Sequence, residues 1–93
     1  HTVEHEDETG RGTFFITREG RRVAELKYRR DDDHTVDIYH TEVGPELRGQ
    51  GVARTLLDAA VAWARATGTK MRATCPYART QLEEDASIGD VLA

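Results

Sequence analysis

The chain has one cysteine, Cys75, in 93 residues. An internal disulfide is excluded, and a reducing compartment suits the chain, so a cytoplasmic location is expected. No apolar run approaches the ~18 residues that a membrane span requires, and no signal-peptide pattern is visible. Basic residues are not in excess: 13 Lys and Arg stand against 17 Asp and Glu, for a formal net charge of −4. The broad basic field that nucleic-acid binding needs is therefore missing. The imbalance is local. Residues 1–10 hold Glu4, Glu6, Asp7 and Glu8 and no Lys or Arg, which leaves residues 11–93 balanced at 13 acids and 13 bases. A cationic partner is not repelled by such a chain. There is no internal repeat and no interdomain linker, so one domain with a modest core is expected. Residues 1–10 read as a disordered acidic tail and residues 11–93 as that single domain.

What is present alternates clearly. Thr13 to Thr17 is rich in aromatic and β-branched residues and reads as a strand. Glu19-Gly20 marks a tight turn, and Arg22 to Tyr28 alternates as a second strand. Asp31-Asp32-Asp33 is a further turn, read as solvated rather than as a metal site. Thr35 to Val43 pairs back as a third strand, which completes an antiparallel meander. The next segment, Val52 to Thr67, places Ala53, Leu56, Leu57, Ala60, Val61 and Ala64 on one helical stripe, and Gly68 is a natural C-cap. Lys70 to Cys75 reads as a fourth strand, parallel to the third through a right-handed crossover. Pro76 opens a shorter helix over about Tyr77 to Glu84. The fold class is α/β (α+β). Trp63 reads as core. Arg21-Arg22 and Tyr28-Arg29-Arg30 read as solvated strand ends.

The most informative segment is Arg48-Gly49-Gln50-Gly51-Val52-Ala53, between a strand and a helix. The first N–H groups of a helix lack internal partners, and the macrodipole adds about half a positive charge there. Such a start binds anions, and glycines without Cβ let a bulky ligand approach. The Walker loop is excluded because no Lys follows either glycine. The dinucleotide fingerprint beginning at Gly49 meets Arg54 in its sixth position. The pattern that remains is R-x-x-G-x-A, carried by Arg48, Gly51 and Ala53. An ordinary strand-to-helix turn that uses glycine for geometry alone is the alternative.

This pattern resembles the pyrophosphate loop of the GNAT superfamily of N-acetyltransferases. The likeness extends to His40-Thr41-Glu42-Val43, Pro45-Glu46-Leu47-Arg48-Gly49, Val52-Ala53, Trp63-Ala64 and Cys75-Pro76-Tyr77, and covers about Thr13 to Asp85. Together these residues resemble a small single-domain GNAT-like subfamily. Gly44 and the Asp85-Ala86-Ser87 segment depart from that subfamily's pattern. The resemblance implies a minimal GNAT fold: a three-stranded antiparallel meander, then helix, parallel strand and short C-terminal helix. It implies acetyl-coenzyme A as the cofactor, held by Arg48, Gly49, Gln50, Gly51, Val52 and Ala53. Thr41, Glu42 and Val43 would line the pantetheine arm, and the N–H near Val43 would serve the oxyanion. Larger members carry two helices where this chain has only the Glu19-Gly20 turn, which implies a shallow, open acceptor cleft and a protein or peptide amine as acceptor.

Acetyl transfer to an amine needs a base, because an ammonium with a pKa of about 10.4 cannot attack. It also needs donors for the thioester oxygen and a proton for the leaving thiolate. His40 and Glu42 alternate onto one strand face and are candidate bases, Glu42 only if burial raises its pKa. A surface ion pair and a packing histidine are their plain alternatives. Cys75, ahead of the Pro76 helix start, is a candidate acetyl carrier, or else a small buried hydrophobe. Tyr77 is a candidate proton donor, or an aromatic packed on the final helix. The expected reaction is N-acetylation of a primary amine, such as a protein lysine or N-terminus, by direct attack or through Cys75. Two other functions fit the same residues: a noncatalytic coenzyme A-binding module, and an interaction domain whose glycine turn binds nothing. A monomer or weak dimer is expected, without nucleic-acid or membrane partners.

Overall fold

A computed structural model describes residues 1–93. One mixed sheet of five strands runs in sequence order: β1 (Glu4–Glu8), β2 (Arg11–Arg18), β3 (Arg21–Arg30), β4 (Thr35–Val43) and β5 (Lys70–Ala73). β1 to β4 are antiparallel neighbours, and β5 lies parallel to β4. A short 3-10 turn, Pro45–Leu47, leads to helix α1 (Val52–Thr67). After β5 comes helix α2 (Pro76–Glu84), and a second 3-10 segment, Ala86–Val91, closes the chain.

Two expectations are corrected. Residues 4–8 are not a disordered tail but the edge strand β1, so the antiparallel part has four strands rather than three. Composition hides this strand because every one of its residues is exposed. Its order comes from partners. His5 stacks on Phe14 with ring centroids 4.0 Å apart, Arg22 pairs with Glu6 at 2.6 Å, and Arg30 pairs with Asp7 at 3.2 Å. The second correction is Tyr28, which is fully buried rather than solvated. It accepts or donates a 2.7 Å hydrogen bond with His5 Nε2 and packs against Phe14 and Trp63.

The rest follows the local chemistry. Glu19 and Gly20 both have positive φ, as a two-residue hairpin turn of this hand demands. Helix α1 buries Val52, Leu56, Leu57, Ala60, Val61 and Ala64 on one stripe and ends at Gly68 in the left-handed region. These residues cover the sheet face that carries Phe14, Ile16, Leu26, Tyr28, Val36 and Ile38. Trp63 is half-buried at the helix flank. The final segment docks on the same layer: Ile88 and Val91 are buried, and Arg65 holds Asp90 at 2.7 Å. The opposite sheet face has no layer over it. Phe15, Glu25, Lys27, Tyr39 and His40 are half-buried there, and Glu42 is exposed.

Candidate active site

The site begins with a defect in the sheet. Lys27 pairs with His40 and Tyr28 with Ile38, so Tyr39 is an extra residue in β4, a β-bulge. On the other side of β4, pairing with β5 stops at Ile38↔Ala73. The N–H groups of Thr74 and Cys75 both turn back to the Ile38 carbonyl, each at 3.0 Å. From Tyr39 to Val43, β4 is therefore paired on one side only. Gly44 N–H donates to the Val23 carbonyl at 2.7 Å. Alternation then directs the Val43 N–H and carbonyl to the free edge. The carbonyl is met there by Arg48 Nε, which donates at 3.2 Å.

The glycine loop sits at the end of this edge. Gly49 (φ 79°) and Gly51 (φ 72°) both lie in the left-handed region, where residues with a Cβ are strained. A Cβ built on either would meet nothing within 4 Å, so backbone conformation and not crowding explains these glycines. Gly51 is the N-cap of α1, with no side chain capping the helix and no acid in its first turn. The leading N–H groups of a 16-residue helix are thus left to an outside acceptor. Gln50 is turned away from this spot, its side-chain amide donating to the Glu46 carbonyl at 3.2 Å. Val43, Leu47, Arg48, Gly51, Val52 and Tyr77 are among the residues that line a groove of about 290 Å³ in front of the loop.

The sequence does not single out Arg54, which shapes the same groove. It reaches Asp58 at 2.8 Å, Gln81 at 2.7 Å and Asp85 at 2.6 Å, so it fastens α2 and the C-terminal segment to α1. Its guanidinium is held ionised by these acceptors, and Asp85 is pulled down to about 2, chiefly by Ser87 and then by Arg54. The signal in the sequence is weak: one arginine among several on a helix, with its partners 27 and 31 residues away.

Cys75 is buried, at 6% exposed, and is the N-cap of α2. Its thiol points across the gap between the splayed strands and donates to Thr41 Oγ1 at 3.4 Å. Tyr77, two residues on, faces the groove with its phenol pushed up from its ordinary pKa by burial. The shift keeps the phenol protonated at neutral pH. Thr41, Val43, Cys75 and Tyr77 therefore converge on the gap.

His40 and Glu42 do not join them. Register places Thr41 opposite Leu26 and Val43 opposite Ala24, on the covered face, but His40 opposite Lys27 and Glu42 opposite Glu25, on the bare face. Their side chains touch, Nε2 to Oε1 at 3.4 Å, and are 44% and 68% exposed. Glu42 thus lacks the burial on which its role as a base depended. The bare face near it has a shallow concavity of about 250 Å³, to which Arg22, Glu25, Glu42 and Glu46 contribute. No cluster of His, Cys, Asp or Glu in the chain is arranged to hold a metal ion. No helix is long and apolar enough to cross a membrane.

Comparison with known proteins supplies the remaining link. Residues 13–91 match the family model of the GCN5-related N-acetyl-transferases. No curated protein matches the sequence. Among solved structures, the chain is similar to a GCN5-like protein from Staphylococcus aureus, with 36% identity and a TM-score of 0.77 over 99% of this chain and 87% of that one. It shares its fold with a ribosomal-protein-alanine N-acetyltransferase from Brucella melitensis biovar Abortus 2308, at 18% identity and TM-score 0.69, covering 85% of this chain and 63% of that one. It also shares its fold with a GNAT family acetyltransferase from Elizabethkingia anophelis, a structure with acetyl-CoA bound, at 17% identity and TM-score 0.60 over 70% of this chain and 43% of that one. Gapped β4 edge, glycine loop, helix start and a match over nearly the whole chain agree, and this protein belongs to the GCN5-related N-acetyltransferase family.

Proposed function

We propose that the protein transfers an acetyl group from acetyl-CoA to a primary amine. The observation that carries this reading is the free β4 edge ending at an uncapped helix start, with Cys75 and Tyr77 facing the same gap. The residues suit the cofactor part by part. The N–H groups of Gly49 to Ala53 and the side chain of Arg48 would hold the pyrophosphate. The edge from Thr41 to Val43 would take the pantetheine amides as an added strand, and the Val43 N–H would receive the developing oxyanion. Tyr77 would protonate the leaving thiolate.

The acceptor reaches the thioester from the bare sheet face, where the short Glu19-Gly20 turn raises no wall. That openness favours a lysine or N-terminus presented by a protein or peptide. His40, with Glu42 beside it, would take the amine proton from that side through water. Cys75 would carry the acetyl group only if its thiol leaves Thr41. We place the reaction in the cytoplasm, consistent with the unpaired Cys75, and in a monomer or weak dimer.

A second reading has an observation in its favour. The candidate base and the candidate thiol stand on opposite faces of β4, and the thiol is buried. A module that binds coenzyme A without transferring acetyl would look the same. Loss of acetyl from acetyl-CoA in pools of peptide, polyamine and small amines separates the two, with intact mass to read acetylated Cys75. Turnover with an amine supports the enzyme. Tight coenzyme A binding with no turnover in any pool supports the module. Absence of heat with coenzyme A in calorimetry overturns both.

A further inference from the structure

We infer that Asp37 is a positioning residue that opens the β4 edge and sets Cys75 across from Thr41. This rests on the reading of that edge as the cofactor slot. Asp37 is one of only two buried polar residues, at 3% exposed. Burying a carboxylate is unfavourable, and an apolar side chain would serve a core position at least as well. Its partners say what it does there. Oδ1 accepts the Thr74 N–H at 2.9 Å, and Oδ2 accepts the Thr74 hydroxyl at 3.0 Å. Arg29 covers the same Oδ2, donating from Nε at 3.3 Å and from its terminal nitrogen at 3.2 Å. Two of these four bonds come from Arg29 of β3 and two from Thr74, which lies beyond β5.

Thr74 is the first residue beyond β5. A parallel strand that continued past Ala73 would cover the β4 edge at Tyr39 to Thr41. Asp37 removes that option: it shares the Thr74 N–H with the Ile38 carbonyl and also takes the Thr74 hydroxyl, which keeps Thr74 level with residue 37. The chain must then turn, and the next residue, Cys75, becomes the N-cap of α2 with its thiol on Thr41. One carboxylate thus ends the ladder, leaves the slot free and aims the thiol.

The test compares wild type with Asp37→Asn, which keeps volume and one acceptor, and with Tyr28→Phe, which removes a hydrogen bond to His5 on the opposite edge strand β1. Coenzyme A affinity is read by calorimetry. The rate of Cys75 alkylation by iodoacetamide is read by mass spectrometry on the ligand-free protein, at a temperature where circular dichroism shows each variant native. Asp37→Asn should bind coenzyme A at least tenfold more weakly and alkylate Cys75 at least fivefold faster. Tyr28→Phe should stay within twofold on both. If Asp37→Asn matches Tyr28→Phe, the inference is overturned. If Asp37→Asn does not fold, Thr74→Val deletes one donor to Oδ2 and carries the same comparison. If wild type itself takes up no coenzyme A, the cofactor reading fails, while the alkylation rates still judge Asp37.

Discussion

Gly51 allows charge to be separated from conformation at the helix start. Asp and Asn both tolerate the left-handed region better than other residues, and both are good helix N-caps. With φ 72° at Gly51 and open space around its would-be Cβ, Gly51→Asn and Gly51→Asp should each fold, within about 1 kcal/mol of wild type. They differ by one negative charge at the spot where pyrophosphate would sit. Two like charges ~4 Å apart at an effective dielectric near 20 repel by about 4 kcal/mol. Exposure and salt reduce this to roughly 2–3 kcal/mol, which is about 30- to 150-fold in affinity. Gly51→Asn should thus lose a few-fold in coenzyme A binding, and Gly51→Asp about a hundredfold more than Gly51→Asn, with the gap narrowing in high salt. Thermal melts check the folding and calorimetry the affinity. Equal affinities for the two variants would refute the assignment of an anion to this loop.

Gly12→Ala should cost about 1–3 kcal/mol, because the new Cβ would lie 2.3 Å from the Tyr28 ring, which is wholly buried and cannot yield; an unchanged melting temperature would contradict that packing. Partial burial of its ring between Phe14 and Trp63 lowers the pKa of His5, although the residue as a whole is exposed, against a smaller opposing effect of Asp7. The unfolded chain then binds the extra proton more readily, so this stabilisation is full above about pH 6.5 and declines as pH falls through the lower folded value. Melts from pH 7.5 to 5 should show a fall that His5→Asn flattens, and identical slopes would remove His5 as the cause. Arg54→Ala should destabilise by about 1–2 kcal/mol and loosen α2, raising proteolysis near Glu84 before any global unfolding; cleavage at wild-type rates would show that α2 is held by Ala78 and Leu82 alone.

The stripe from Leu56 to Ala64 and the ends of α1 are legible because burial and capping act within one turn of the chain, although Val52 rather than Ala53 is the buried residue of its first turn. Val52 to Thr67 reads as a helix ending at Gly68, and the structure adds Gly51 as its N-cap. The loop glycines were legible for the same local reason. β1 was not, since Glu4 to Glu8 has no apolar residue and becomes a strand only against β2 and through ion pairs to Arg22 and Arg30. His40 and Glu42 share one face, as the sequence spacing predicts, because residues two apart on a regular strand point the same way. Their separation from Cys75 was invisible, because it depends on which face α1 covers.

The sequence by itself determined the order of elements from β2 to α2 and the glycine-framed helix start. These are set by side chains acting on their own and adjacent backbone. Tertiary structure alone decided that β5 leaves β4 at Ile38 and that Asp37 holds Thr74 there. It alone sent the thiol and the exposed His40–Glu42 pair to opposite sides of one strand. Those outcomes join residues more than 30 positions apart, or turn on a bulge and a packed helix, and no local pattern encodes which distant partner a buried carboxylate will find.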